Sequence, residues 1–577
     1  MIKKSLFYIK NITEKKHLFH LKLYFFGLIF ISIIETIGIG IIPAFLAIAL
    51  DKNLILEKVK FNPEVHAMLQ NFLNIENLII VMSILTFIFF LIRSLIFFIY
   101  FVFEAKLTQS LKISTSSNLF KLYLNKKYLY HANNNPIILG RNCSSEVNAC
   151  VSYIKSFFIL VKEILQIFLI AVLLMFANFK ITVIIFFTLM LLGLLYLKLF
   201  SKSLRKKVKI AFYERGEKSK IINQILNAII EVKLYQKEKF FINKFISSIS
   251  REFQSLRFYE IISKIPKLVT EIFVVLVMCL TIIITFKFGI NIEGIISILT
   301  LYFFAAIRIY PSISNILMHR MALINGSVSM DKISNEFMAA KDHEEYKKDE
   351  NEILNFNDCI ELKNISFNYP EREKIIQYVN LKILKNEIIG IVGKTGSGKS
   401  SLIKIIMGLI DPTIGKIKID NNELHKIKES WQKKIGYIPQ NFYILDDTIK
   451  ENIIFGENKN EVNDKKIKEV IKIAALDSFI ESLPKKMETT VGSNGRKLSG
   501  GQAQRLAIAR ALYQDVEVMV FDEATNSLDS TTEQEIIDYV YNLKNKKTVI
   551  IITHNEKILQ RSDKIFKIES GNVKQLK

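Results

Sequence analysis

Two features of the sequence predict a two-part fold, an all-α membrane domain of six long helices followed by an α/β domain built on a phosphate-binding loop. Six apolar runs, each long enough to cross a bilayer as a helix, lie before about residue 320. A single Gly-rich loop between a strand pattern and a helix pattern lies after it. A length of 577 residues agrees with more than one domain. Half of the residues are hydrophobic, 43 of them Phe, and they concentrate in the first part. A formal charge of +23 on a soluble chain would suggest nucleic acid. The apolar runs exclude that partner, because Lys and Arg beside spans face anionic headgroups.

The runs fall at residues 21–50, 78–103, 156–176, 181–200, 269–286 and 295–317. Against lipid only a helix satisfies its own backbone, so each is read as helical. About 50 residues separate the second and third runs and about 70 the fourth and fifth. Both gaps are amphipathic and Lys-rich, so the helices continue into the cytoplasm and turn near residues 120–130 and 232–243. Residues 54–72 read equally as a surface helix or a plain loop. No small-residue cleavage site follows the basic N-terminus, so the first run is expected to be a retained anchor. The four cysteines form no CxxC pair and read as unpaired thiols.

Glu35, Arg93, Glu163, Glu271 and Arg308 fall in or near the apolar runs. Ionisable groups there face the bundle interior, either as paired structural charges or as a polar path. Arg93 and Arg308 are the candidates for contact with an anionic cargo. Pro43, Pro266 and Pro311 are expected to kink helices beside them. The membrane domain is assigned to residues 1–320, a charged connection, helical to about Phe337, to 321–357, and the second domain to 358–577.

In the second domain, EIIGIVGKTGSGKSSLIKIIMGL reads as strand, turn and helix. Backbone amides of Gly393, Lys394, Thr395, Gly396, Ser397 and Gly398 can curl around phosphate oxygens. Lys399 adds a point charge, and Ser400 offers a hydroxyl to Mg2+, with Ser401 next in the helix. KLSGGQAQRLAIARAL puts Ser499, Gly500, Gly501 and Gln502 at a second helix start, another phosphate-binding surface. The apolar strand VEVMVFDE ends in Asp522, suited to Mg2+, and Glu523, suited to polarising a water. The strand KTVIIITH ends at His554.

With these motifs in place, the chain resembles bacterial ABC half-exporters over nearly its full length, most specifically over residues 359–577. The resemblance implies the type I/type IV exporter fold, ATP and Mg2+ as cofactors, and hydrolysis coupled to transport in the inner membrane. It makes Gly393–Ser400 the Walker A loop, Leu498–Gln502 the signature motif, Asp522 the Walker B aspartate, Glu523 the catalytic glutamate and His554 the switch histidine. Tyr369 matches the adenine-stacking aromatic, and Gln440 matches the glutamine that senses metal and membrane domain. Ser527, Leu528 and Asp529 match the loop that crosses between subunits. Ser493 departs from the family's acidic residue in TTVGSNG. The signature of one copy closes the ATP site of another, so the family implies a second copy of the chain as partner.

In the membrane half, FISIIETIGIGIIPAFLAIAL, FFLIRSL, KIPKLVTEI and AAIRIYPSISNIL resemble the bacterial lipid-linked oligosaccharide flippases of protein glycosylation. That resemblance implies an anionic lipid-linked glycan as cargo, met by a basic belt of Arg93, Lys267 and Arg308. Export of drugs, of lipid A-like lipids or of peptides stands as the alternative, with a nucleotide-gated channel behind it.

Overall fold

The computed structural model describes residues 2–50, 75–177, 179–287, 292–341, 355–369, 375–458, 460–492, 495–525 and 528–577. The chain separates into a helical unit, residues 1–126 and 131–345, and an α/β unit, residues 346–577 together with Lys127–Tyr130.

A short helix, α1 (Ile2–Ile12), precedes six long ones: α2 (Lys15–Leu50), α3 (Ile75–Leu124), α4 (Val147–Ala177), α5 (Phe179–Asn227), α6 (Glu238–Lys287) and α7 (Ile292–Lys341). At 1.5 Å per residue, a 50-residue helix such as α3 runs about 75 Å, far more than a bilayer core needs. The surplus leaves length for an extension beyond a bilayer core. Among the described residues four helical stretches are long and apolar enough to span: Lys15–Phe45, Ile79–Leu124, Pro136–Phe176 and Leu301–Ala339. The short helices Tyr128–Asn133 and Ile229–Leu234 sit near the two turns expected from the sequence. Pro43 and Pro311 lie inside α2 and α7.

The helices pack by small residues and buried apolar seams, while large apolar side chains such as Phe87, Leu91, Leu95 and Phe98 of α3 point outward. That inversion suits a lipid solvent. Ile39 of α2, Ile170 and Leu174 of α4, and Ala305 and Ile309 of α7 form one seam. Gly326 lets α7 approach α4, because a Cβ there would meet Tyr153 Cβ at 3.0 Å and the Ala149 carbonyl at 3.1 Å. In the α5–α6 pair, buried Glu252 receives Lys218 Nζ at 2.6 Å and Arg215 Nε at 3.3 Å.

The last long helix, α7, passes residue 320 and runs unbroken to Lys341, four residues beyond the helical limit expected near Phe337. Met321, Leu323, Ile324, Met330 and Ile333 keep a buried apolar stripe along it. The connection expected at 321–357 is therefore helix in its first half. Residues 54–72 lie outside the described residues.

The α/β unit has two sheets. Strands β1 (Cys359–Phe367), β2 (Ile376–Leu384), β4 (Ile414–Ile419) and β5 (Asn422–Glu423) form an antiparallel sheet in the order β2-β1-β4-β5. The second sheet runs β10-β9-β3-β8-β7-β6, from β3 (Ile388–Gly393), β6 (Ile435–Ile438), β7 (Val518–Asp522), β8 (Thr548–Ile552), β9 (Lys564–Glu569) and β10 (Asn572–Gln575). Its strands are parallel except for the β9–β10 hairpin.

Strands β7 and β8 are buried throughout, as expected of central parallel strands covered on both faces. Their alternation splits the core. Met519, Phe521, Val549 and Ile551 pack toward α9 (Gly500–Tyr513) and α10 (Ser530–Asn542). Val518, Val520, Ile550 and Ile552 pack toward α8 (Lys399–Ile406) and the antiparallel sheet. The single Trp, Trp431, is fully buried there and donates its Nε1–H to the Ile406 carbonyl at 2.8 Å.

Candidate functional site

Register brings the chemistry to one edge. Asp522 pairs with Ile552, and Ile391 pairs with the same residue from the other side. The carboxyl ends of β3, β7 and β8 therefore open together, where open α/β sheets bind ligands. The loop after β3, Glu523 after β7 and His554 after β8 all emerge there.

The loop Gly393–Gly398 turns back into α8 with Gly396 at φ +83° and Gly398 at φ +106°. Gly398 is the N-cap of α8, so the left-handed backbone is what aims the helix start into the site. Lys394, Thr395 and Gly396 are exposed. The Ser397 hydroxyl is buried with no hydrogen-bond partner among the described residues, and nothing described lies near where a Cβ on Gly396 would project. Lys399, itself buried, rests its Nζ on the Gly393 carbonyl at 2.7 Å and the Lys394 carbonyl at 3.2 Å. Burial lowers its pKa against the pull of Glu523 and Asp522. Ser400 is exposed at the first turn of α8. Ser401 lies 3.5 Å from the Tyr369 hydroxyl, and the half-buried Tyr369 ring stands edge-on to Phe367.

Glu523 is the hub. Gln440 donates Nε2 to its Oε2 at 2.6 Å, and His554 Nε2 stands 2.8 Å from its Oε1. Lys399 Nζ is 3.5 Å from His554. Glu523 sits at φ +51°, a conformation side chains rarely take and one found at functional sites. Beside it Asp522 is almost wholly buried, and burial raises its carboxyl above the ordinary range.

Asp522 also accepts a hydrogen bond from Tyr437 at 3.0 Å. Sequence reasoning missed Tyr437. Its one signal was a phenol in an otherwise apolar strand, IGYI, next to Gln440.

Ser499 caps α9 in a reciprocal box. Gln502 N donates to Ser499 Oγ at 3.2 Å, and Ser499 N donates to Gln502 Oε1 at 2.9 Å. Gly500 is exposed, with nothing near where a Cβ would project, and Gly501 follows it in the first turn. These side-chain hydrogen bonds of Ser499 and Gln502 run to each other. Leu528 and Asp529 are described and Asp529 caps α10, whereas Ser527 and Ser493 lie outside the described residues.

Residues 376–526 match the family described as ABC transporter. A bacterial Atm1-family ABC exporter, solved with ATP bound, superposes with a TM-score of 0.72 over 96% of this chain and 95% of its own, at 20% identity. The fold is that of an Atm1-family ABC exporter. Within that fold, the family match lies in the α/β unit, and the helical unit carries helices long and apolar enough to span a membrane.

Relatives of this exporter fold include the ATP-dependent lipid A-core flippase of Desulfotalea psychrophila, 32% identical over 259 residues (44% of this chain, 45% of the relative). Another is a multidrug resistance ABC transporter ATP-binding and permease protein of Lactococcus lactis, 33% identical over 233 residues (39% of each). The chain spans less than half the length of the curated relatives it matches.

In the helical unit the charges expected of a polar path divide. Arg308 is ion-paired with buried Glu35. Arg93 sits over the Phe90 and Phe97 rings, 5.4 and 5.0 Å from their centroids. The Nε atoms of Arg93 and Arg308 are buried without hydrogen-bond partners among the described residues. Lys267 lies in α6, but its side chain is outside the described residues. Lys162 was missed, although LVKEIL placed it beside Glu163 in an apolar run.

Proposed function

We propose that two copies of the chain form an ATP-driven exporter that flips a lipid-linked oligosaccharide across the bacterial inner membrane. The observation that carries the ATP-driven part is the cluster of Lys399, Gln440, Asp522, Glu523 and His554 at one sheet edge. Hydrolysis needs a positioned base, and Glu523 is held from both sides by Gln440 and His554.

The open loop around Gly396 and the orphaned Ser397 hydroxyl fit the phosphates of ATP. Tyr369 supplies an aromatic face for adenine. The exposed Ser400 hydroxyl, Asp522 and Gln440 would hold Mg2+, which when bound neutralises charge on the phosphate oxygens. Lys399 turns from its loop carbonyls to the terminal phosphates. Glu523 then orients a water, and His554 fixes the γ-phosphate end of the site. Ser499, Gly500, Gly501 and Gln502 form a helix start that is exposed at Ser499 and Gly500 and closed by its own capping box. That supports a symmetric dimer in which each signature faces the partner's ATP. Nucleotide closes the pair and hydrolysis releases it, which biases the helices between inward and outward openings.

The unpartnered Nε atoms of Arg93 and Arg308 support an anionic cargo head. A polyprenyl diphosphate needs cationic surroundings for its head while its tail stays in lipid. Export of a lipid A-core-like lipid or a drug is the second reading, favoured by the two relatives above. The test is ATP-dependent translocation of a labelled polyprenyl diphosphate oligosaccharide in proteoliposomes. Movement lost in Glu523→Gln and in Arg93→Ala supports the flippase. Robust hydrolysis without movement of that lipid overturns this cargo.

A further inference from the structure

Four ionisable groups meet inside the helical bundle and balance to zero: Glu35 of α2, Lys162 and Glu163 of α4, and Arg308 of α7. Both glutamates are about 5% exposed and Lys162 about 10%, whereas Arg308 keeps 31% of its side chain open. Each oxygen of Glu35 has its own cation. Arg308 takes Oε1, and Lys162 donates to Oε2 at 3.2 Å. The Gln166 amide, in the orientation that satisfies both its ends, donates to the same Oε2 at 3.1 Å. Glu163 Oε1 receives Lys162 at 3.4 Å and Asn315 Nδ2 at 3.1 Å.

The asymmetry lies at Arg308. It is the most exposed of the four, its only ion-pair partner among the described residues is Glu35, and its Nε is unused. Glu35 is different, since Lys162 and Gln166 hold it when Arg308 departs. Breaking a buried pair is costly when a charge is left alone. Here departure of Arg308 toward an outside anion leaves Lys162 shared between Glu35 and Glu163, a net charge of −1 that the neutral donors Gln166 and Asn315 help to hold.

We infer that Glu35 is a resident counter-ion that competes with the cargo's anionic head for Arg308, with Lys162 standing by to keep Glu35 compensated. This rests on the anionic-cargo reading above. The competition makes Glu35 a specificity residue. A head with one diffuse charge gains little by replacing a buried carboxylate, whereas a diphosphate offers more charge and more acceptors to the free Nε–H.

The test is binding of undecaprenyl diphosphate, with neutral undecaprenol beside it, to the full-length protein in nanodiscs. Glu35→Gln is expected to tighten the diphosphate about tenfold and leave undecaprenol unchanged. Glu35→Gln with Arg308→Gln loses that gain. Lys162→Gln acts in the opposite direction, because Glu35 then clings to Arg308, and weakens the diphosphate; it also serves if Glu35→Gln fails to fold. An unchanged affinity in Glu35→Gln, equal tightening of undecaprenol, a gain that survives without Arg308, or tighter binding in Lys162→Gln overturns the inference. Wild type that binds diphosphate no better than undecaprenol, with Glu35→Gln the same, overturns the cargo reading as well. A wild type that discriminates while Glu35→Gln does not improve overturns the inference alone.

Discussion

Glu523 combines a strained backbone with two tight side-chain partners, so its carboxylate has little freedom. Glu523→Gln keeps the shape and removes the base. Hydrolysis is expected to fall at least about 100-fold while ATP binding persists, measured by phosphate release beside nucleotide binding. Asp529 makes a different statement. Its carboxylate accepts from the Thr531 hydroxyl at 2.5 Å, the Thr532 amide at 3.1 Å and the Thr532 hydroxyl at 2.9 Å, and is held well below the usual carboxylate range. A depressed folded pKa means the stabilisation is present above the ordinary range and is lost as pH falls through the folded value. Asp529→Asn is therefore expected to lower the melting temperature at neutral pH, with the gap from wild type narrowing below about pH 4. Arg510 holds three oxygens at 2.8 Å, the Asn452 carbonyl, the Asn452 amide oxygen and the Tyr443 carbonyl, and covers the Phe455 ring. Its loss strands the two carbonyls, while the Asn452 amide oxygen keeps the Leu445 amide at 2.8 Å. Arg510→Ala is expected to destabilise the ATPase domain by about 3 kcal/mol, a calorimetric drop of roughly 6–12 °C.

At the scale of elements, the two helix starts of the site behave differently. The start of α8 depends on glycine geometry, whereas that of α9 depends on the Ser499–Gln502 box. Ser499→Ala should lower stability by only about 1 kcal/mol, read by calorimetry, because α9 is also buried along one face. In the helical unit, Gly326→Val forces a branched side chain against Tyr153 and Ala149. A cost of about 1–3 kcal/mol is expected, read as a lower detergent melting temperature. Legibility differed between the two parts for a physical reason. Gly396, Lys399, Asp522 and Glu523 were readable because phosphate chemistry demands those residue types next to each other in the chain. Lys162 meeting Glu35, and Tyr437 meeting Asp522, join residues 127 and 85 positions apart. Only helix packing and strand order bring them together. Arg308 was read as a charge needing a role, and the sequence left open whether that role was cargo or pairing with some carboxylate. The end of α7 was legible to within a few residues, near Phe337 against Lys341, although charge rises past residue 320, because the apolar stripe continues.

At the scale of the whole molecule, composite sites predict a reversal of ordinary complementation. Let one protomer carry Glu523→Gln and the other Ser499→Arg. If each site draws its signature from the partner, both lesions fall in one site and about half of the hydrolysis survives. Placing both substitutions on one protomer beside a wild-type copy then damages both sites. Sites complete within one chain give the opposite ranking, so hydrolysis by purified mixed dimers decides between them. Six helices and one ATPase domain were legible from run length and loop chemistry, because bilayer thickness and phosphate geometry tolerate few alternatives. Lys127–Tyr130 carries a consequence of another kind, in time. These four residues belong to a unit whose remainder starts at Tyr346, 216 positions after Tyr130. At about 5–20 residues per second, a ribosome needs roughly 10–40 s to reach it, and longer to finish its last strands. Tyr128 and Leu129 thus leave the ribosome well before the core they pack against exists, and these residues wait for the last part of the chain before they can settle.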